Sequence, residues 1–181
     1  MNDLGRIALG VGLLFLLAPK KTRVNSAKED TPASGWTDSR SVLIEALGVP
    51  YSYGAGTPAS PWPGGAAGLA GGVGWDCSGY AQAGLVQLGL LSSGAVDRTA
   101  QSLADRASGV SSGDEREGDL AFYGASWSKV SHVMLCLGNG RQVIGASGGG
   151  RATNGDDVGA YVKIFNTPKY RSDFLGVRRL W

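Results

Sequence analysis

Trp75-Asp76-Cys77-Ser78-Gly79-Tyr80 is the stretch that decides the fold, because it places one of only two cysteines at the start of a predicted helix. The only histidine of the chain, His132, follows 55 residues later at the start of a predicted strand. A thiol needs a base to become a thiolate near neutral pH, and imidazole has the unperturbed pKa closest to that range. Cys77 and His132 are therefore a candidate nucleophile and base.

The position of Cys77 in the first turn of a helix suits this chemistry. The positive end of the helix dipole and the free N–H groups there favour a thiolate, and the same N–H groups can hold an oxyanion. A histidine on a strand has the fixed geometry that proton transfer needs. By spacing alone, a purely structural role for both residues stays open. The second cysteine, Cys136, lies among apolar residues and is interpreted as core packing.

The composition limits the possible classes of protein. The chain has 181 residues, enough for one domain with extensions, and its net charge of +2 gives no argument for a nucleic-acid partner. Two cysteines without a CxxC pattern predict neither a disulfide framework nor a metal site. Nothing in the sequence calls for a metal or an organic cofactor.

The N-terminal region predicts a separate arm at residues 1–21. Its apolar run, Ile7 to Ala18, is shorter than the roughly 20 residues that a membrane-spanning helix needs. Residues 4–18 are interpreted as a retained hydrophobic arm that is buried against partner proteins or a membrane. An uncleaved membrane anchor and a signal peptide are the alternatives. Residues 22–37 are interpreted as a linker and residues 38–181 as the folded domain.

The order of predicted elements within that domain indicates an α+β fold. Apolar spacing and capping residues predict three helices, from Thr37 or Asp38 to Leu47, near Cys77 to Leu90, and Thr99 to Ala107. Strands are predicted at 120–123, 131–137, 142–146, 161–165 and 174–180, with a hairpin at Gly138-Asn139-Gly140. Helices followed by an antiparallel sheet predict that the helices pack on one face of that sheet.

Five blocks of sequence resemble, in order, those of the NlpC and p-sixty family of cell-wall peptidases. They are Gly48-Val49-Pro50-Tyr51-Ser52-Tyr53-Gly54, Asp76-Cys77-Ser78-Gly79, Asp97-Arg98-Thr99-Ala100-Gln101, Gly118-Asp119-Leu120-Ala121-Phe122, and His132-Val133 through Leu137-Gly138-Asn139-Gly140. The similarity covers roughly residues 40 to 147.

The resemblance implies a papain-like fold, with Cys77 as the nucleophile and His132 as the general base. It further implies that Tyr51 assists the oxyanion and that Asp76 and Ser78 line the substrate pocket. For Tyr51 and Tyr53, aromatic packing beside a Gly-Pro turn is the alternative, and Arg98 is at least as well explained by a structural role.

Two features depart from the pattern of the family. The family usually has a third polar residue, which orients the imidazole, on the strand after the hairpin; here that position falls on Ile144 or Gly145. Ser147, Gln142 and Asn154 are the weak substitutes, so the third residue is unknown. The second departure is a long Gly-, Ala- and Pro-rich inserted loop at residues 57–75, interpreted as a flexible flap or an inert surface insertion.

Three functions remain on this basis. The first is a cysteine endopeptidase that hydrolyses peptidoglycan stem peptides, often between D-glutamyl and meso-diaminopimelyl residues in such enzymes. The second is a catalytically degenerate structural or binding component, and the third is an amidase or acyltransferase of the papain-like group. The arrangement resembles peptidases of phage tails or gene-transfer particles, which predicts a virion-associated tail or baseplate protein. The bacterial periplasm or cell envelope is the alternative.

Overall fold

The computed structural model describes residues 39–69, 71–138, 141–153 and 159–181. All of them belong to one unit that extends from Gly35 to Trp181. The predicted arm at 1–21 and linker at 22–37 lie outside the described residues. Within the described ranges, no helix has the length and apolar character needed to cross a bilayer.

Three helices precede the main sheet: α1 (Ser39–Ile44), α2 (Cys77–Gln87) and α3 (Ala100–Arg106). Helix α2 starts where the Asp76 side chain accepts a hydrogen bond from the Gly79 N–H, as an N-cap does. It ends three residues earlier than predicted, because Gly89 takes a positive φ of 70° and the Leu90 N–H turns back to the Leu85 carbonyl.

Eight strands of the described residues form two antiparallel sheets. The strands are β1 (Ala66–Ala67), β2 (Val73–Gly74), β3 (Ser108–Gly109), β4 (Leu120–Ser126), β5 (Lys129–Cys136), β6 (Val143–Ser147), β7 (Tyr161–Phe165) and β8 (Phe174–Arg179). β1 pairs with β2, and the remaining six follow the order β3-β8-β4-β5-β6-β7. The segment between β7 and β8 contains a 3₁₀ turn, Pro168–Tyr170. The predicted α+β fold is confirmed, and each predicted strand is present within a few residues of its predicted bounds.

The main sheet has a buried core on both faces. On the helix face, Leu120, Phe122, Val133 and Leu135 pack against α2 and α3 with the larger group of buried residues. On the opposite face, a smaller cluster contains Ala121, Tyr123, Met134, Cys136, Val143 and Val177. Cys136 therefore lies in a core, as interpreted from its apolar neighbours.

A β-bulge in β5 controls where the only histidine points. Tyr123 pairs with His132, but the next pair is Gly124 with Val130, which leaves Ser131 as an extra residue. In a regular strand, Val130 and His132 would share a face. Instead, Val130 packs in the helix-face core, whereas His132 lies beside Tyr123, its partner across the strands, on the opposite face.

The inserted loop at 57–75 contains the β1–β2 hairpin. The Trp75 indole donates a hydrogen bond to the Pro63 carbonyl at 2.7 Å, and the ring of Trp62 contacts Trp75 and Tyr80. The Leu69 N–H also donates to the Tyr53 carbonyl at 2.7 Å. The insertion is thus attached to the domain before its hairpin, through Trp62, and at the turn of the hairpin, through Leu69, and its flap motion stays a prediction.

Candidate active site

Cys77 is the first residue of α2, and its thiol is buried against β5. The side chain is 8% exposed, and the backbone N–H groups of Val133 and Ser78 face the sulfur. Burial raises the pKa of the thiol to about 12, and the nearby Asp76 charge adds to this, whereas the N–H groups lower it. The helix start alone predicted a thiolate; desolvation outweighs it, so the resting group is a neutral thiol.

His132 is a buried, uncharged imidazole on β5. It is 6% exposed, and its Nε2 lies 3.2 Å from the Tyr170 hydroxyl. Burial lowers the pKa of His132 to about 3; the Arg171 charge also lowers it, and Asp173 opposes this. At neutral pH the ring is therefore uncharged, and burial opposes its protonation.

β5 brings the two candidate residues to neighbouring backbone positions. The sulfur of Cys77 faces the N–H of Val133, the residue that follows His132. No hydrogen bond joins the thiol to the imidazole among the described contacts, and the hydrogen bond that the ring makes runs from Nε2 to Tyr170. The resting site thus holds a neutral thiol at the start of α2, against the backbone of Val133, and a neutral imidazole on the preceding residue of β5.

Tyr51 lies close to the nucleophile. Burial raises the pKa of its phenol, and the charges of Cys77 and Asp76 add to this increase. The Tyr51 backbone N–H is held by the Ala160 carbonyl at 2.9 Å. The protonated phenol is a hydrogen-bond donor beside the thiol, which is what an oxyanion contact requires.

Asp76 and Ser78 are bonded to each other at the start of α2. The Ser78 hydroxyl donates to the Asp76 carboxylate at 2.9 Å, and the Gly79 N–H donates to the same oxygen at 2.7 Å. Burial raises the pKa of Asp76, and these two hydrogen bonds oppose the increase. Both side chains are only partly buried, so they border the site while they cap the helix.

The predicted substitutes for the third residue lie in different places. The Gln142 amide is bonded to Arg40 and Asn166, at the opposite end of β6 from Ser147. The Ser147 hydroxyl lies 3.4 Å from the Tyr170 hydroxyl and not on the imidazole itself. Asn154 lies outside the described residues. Ile144 belongs to the helix-face core, and Gly145 has no side chain to offer.

Tyr170 is the side chain that sequence reasoning missed. It lies 38 residues after His132, in the turn between β7 and β8, and no motif distinguished it from a packing aromatic. Only the pairing of β5, β6 and β7 brings this turn to the imidazole.

Hydrogen bonds connect α2 and β5 to the block Asp97-Arg98-Thr99-Ala100-Gln101. The Gln82 amide on α2 donates to the Asp97 carboxylate and to the Arg98 carbonyl, at 3.0 and 2.9 Å. The Gln101 amide accepts from the Val130 N–H at 2.7 Å, directly before the bulge in β5. These contacts connect both elements that carry the candidate pair.

The chain matches a protein-family model. The model describes the NlpC/P60 family and matches residues 48–178. This span includes Tyr51, Cys77, His132 and Tyr170.

Curated relatives come from mycobacteria and Bacillus. Peptidoglycan endopeptidase RipB of Mycobacterium tuberculosis is 34% identical over 107 residues, which cover 59% of this chain and 42% of RipB. Peptidoglycan endopeptidase RipA of Mycolicibacterium smegmatis is 37% identical over 97 residues, which cover 54% of this chain and 18% of RipA. The bifunctional muramidase/DL-endopeptidase CwlT of Bacillus subtilis is 30% identical over 122 residues, with 64% and 32% coverage. The chain therefore spans less than half the length of these relatives.

Solved structures share the fold. The P60 domain of an antigen from M. avium subspecies paratuberculosis aligns with a TM-score of 0.55 at 25% identity, and covers 78% of this chain and 93% of that domain. RipD of M. tuberculosis, described as a non-catalytic NlpC/p60 domain protein adapted to peptidoglycan binding, aligns with a TM-score of 0.56 at 23% identity. This alignment covers 80% of this chain and 98% of RipD.

Proposed function

The chain belongs to the NlpC/P60 family, and on that premise we propose that it is a cysteine endopeptidase that hydrolyses the stem peptides of peptidoglycan. The observation that carries the proposal is the placement of Cys77 at the start of α2 with its sulfur against the backbone N–H of Val133, the residue that follows the neutral imidazole of His132 on β5. The curated relatives are peptidoglycan endopeptidases, which supports the same substrate class.

The proposed reaction begins with proton transfer from the Cys77 thiol to the imidazole of His132. The thiolate adds to the carbonyl carbon of the scissile amide, and N–H groups at the start of α2 and the Tyr51 hydroxyl stabilise the oxyanion. The imidazolium gives its proton to the leaving amine as the C–N bond breaks, which leaves a thioester on Cys77. His132 then removes a proton from water, which adds to the thioester, and the thiol is restored as the carboxylate leaves.

Burial of both groups opposes a thiolate–imidazolium pair in the resting site, because it raises the pKa of the thiol and lowers that of the imidazole. In the proposed scheme the proton therefore moves as the sulfur attacks the bound substrate, and the buried site strengthens the electrostatic stabilisation of the oxyanion. The alternative of a degenerate binding component has a precedent in the fold of RipD, but this chain has kept both the thiol and the imidazole. That retention favours the enzyme.

The test compares Cys77→Ala with Cys136→Ala on purified peptidoglycan. The two variants make the same chemical change, but Cys136 lies in the core on the opposite face of the sheet. We expect Cys77→Ala to lower the release of muropeptides by at least about 1,000-fold and Cys136→Ala to retain it. Mass spectrometry of the released fragments identifies the bond.

Undiminished digestion by Cys77→Ala contradicts both the endopeptidase and the papain-like amidase. Cleavage between the glycan and the first stem residue, rather than within the stem peptide, supports the amidase.

We also propose that the protein is carried in a phage-like tail or baseplate and opens the wall locally during DNA delivery. The support is the apolar run from Ile7 to Ala18, which suits a subunit held in an assembly. Immunodetection in purified particles tests it; detection only in a bacterial envelope fraction favours the periplasm or cell envelope instead.

A further inference from the structure

We propose that Tyr170 is the positioning residue that holds the His132 imidazole in the tautomer required for catalysis. The proposal rests on the proposed function, because it assigns the ring nitrogen that takes the Cys77 proton. It concerns a side chain of the β7–β8 turn, not of the strand where the pattern of the family places a polar residue.

The hydrogen bonds of the Tyr170 hydroxyl carry the first step. His132 Nε2 lies 3.2 Å from this oxygen, Ser147 Oγ lies 3.4 Å from it, and the guanidinium of Arg171 also donates to it. A phenol has one proton to donate and can accept as well. If Nε2–H donates to the Tyr170 hydroxyl and that hydroxyl donates to Ser147, each of the three groups has a hydrogen-bond partner, and the donors follow one order from His132 to Ser147.

This direction determines the chemistry of the ring. Because Nε2 is committed to Tyr170, Nδ1 is the nitrogen that remains for the thiol. A neutral imidazole with its proton on Nε2 has its lone pair on Nδ1, which is the form that can act as a base there.

Tyr170 is itself held tightly, as a positioning residue must be. Its ring stacks on Phe165 with a centroid distance of 3.6 Å and an interplanar angle of 11°. The Tyr170 ring also makes an edge contact with Tyr123, at a centroid distance of 5.3 Å. Arg171, next in the chain, is anchored by two hydrogen bonds to Asp173, at 2.8 and 2.6 Å. The hydroxyl therefore has a fixed position relative to β5.

No side chain of β6 at Gly145 occupies the space in which Tyr170 contacts His132. Gly145 on β6 has no side chain, and a Cβ built there would meet the Met134 side chain at 3.2 Å. The space beside His132 on this face of the sheet is occupied by Tyr123, Tyr170 and Ser147.

The experiment uses the single histidine of the chain. Long-range ¹H–¹⁵N NMR of the full-length protein reports the tautomer of His132 without overlap and without any need for turnover. We expect the Nε2–H tautomer in the wild type and a mixture of tautomers in Tyr170→Phe, which removes only the hydroxyl. In hydrolysis of peptidoglycan, Tyr170→Phe should lower kcat about tenfold, the worth of one hydrogen bond, with KM unchanged.

Tyr123→Phe is the matched control. Its hydroxyl is buried with no hydrogen-bond partner in the described part of the chain, although its ring contacts the same imidazole at 5.4 Å. We expect it to keep the wild-type tautomer and kcat. An Nδ1–H tautomer in the wild type, or an unchanged spectrum in Tyr170→Phe, overturns the proposal. If the NMR spectra are as expected but neither the wild type nor any variant cleaves peptidoglycan, the proposed function fails and the positioning of the ring by Tyr170 stands.

Discussion

His132 shows at the residue scale how burial selects the charge state of a functional group. Its ring is enclosed by aromatic side chains and by the cation of Arg171, so the charged form is disfavoured and the pKa falls to about 3. The same burial raises the pKa of the Cys77 thiol to about 12. Both groups are therefore neutral at rest, and proton transfer waits for the substrate.

The depressed pKa of His132 predicts a pH dependence of folding stability. In the unfolded chain, histidine takes up a proton as the pH falls below about 6.5, whereas folded His132 stays neutral down to about pH 3. Since the unfolded state binds more protons in this window, the free energy of unfolding falls as the pH decreases, by about 1.4 kcal/mol per pH unit from this group. Chemical denaturation between pH 7 and pH 5 measures it.

The control for this prediction is His132→Asn, which is polar but does not titrate. The wild-type slope should exceed that of the variant by about 1.4 kcal/mol per pH unit below pH 6.5. Equal slopes contradict a buried neutral imidazole. Asp173, whose pKa is lowered, and Arg171, whose pKa is raised, keep their charges between pH 5 and pH 7 and do not contribute to the difference.

At the scale of elements, the loop after β6 determines the position of Tyr51. Gly149 lies against the Tyr51 ring so closely that a Cβ at this position would be 2.1 Å from a ring carbon. The neighbouring Gly150 has open space in the same direction, with nothing within 4 Å. The position of the Tyr51 ring beside Cys77 therefore requires a glycine at 149 but not at 150.

A matched pair of substitutions tests this contact. Gly149→Ala must displace the Tyr51 ring or the loop, and a displacement of about 1 Å at a reacting group costs on the order of 100-fold in rate. We expect that loss in kcat for Gly149→Ala and near wild-type kcat for Gly150→Ala, both measured by muropeptide release. Equal activity of the two variants argues against an oxyanion role for Tyr51.

At the scale of the whole molecule, an ion pair joins two neighbouring strands of the sheet, β8 and β4, through residues that are 60 positions apart in the chain. Arg179 on β8 donates two hydrogen bonds of 2.7 Å to the carboxylate of Asp119, which is fully buried just before β4. Because the sheet, both of its cores and the candidate site all lie between Gly35 and Trp181, this unit is expected to fold alone.

Deletion of residues 1–34 tests that division of the chain. We expect the shortened protein to keep its midpoint of thermal unfolding within a few degrees and to release muropeptides from purified peptidoglycan at the rate of the full chain. It should also lose its association with particles or membranes, because residues 4–18 are the proposed contact. Loss of folding in the deleted protein contradicts the proposed boundary.

The sequence by itself determined the elements and the family. The capped start of α2, the alternating strands and the five ordered blocks depend on residues close together in the chain, and the match to the NlpC/P60 model confirms the family. It also predicted that β6 lacks a polar residue at the expected place, since Gly145 and Ile144 are visible in the chain.

Only the tertiary structure decided the environment of the two reactive groups. The bulge at Ser131 turns His132 away from the helix face, and strand pairing brings Tyr170 to its ring from 38 residues away. Desolvation then overrides the helix dipole at Cys77. Burial and long-range contacts depend on how distant segments pack, and for that reason no local pattern contains the charge states or the partner of the base.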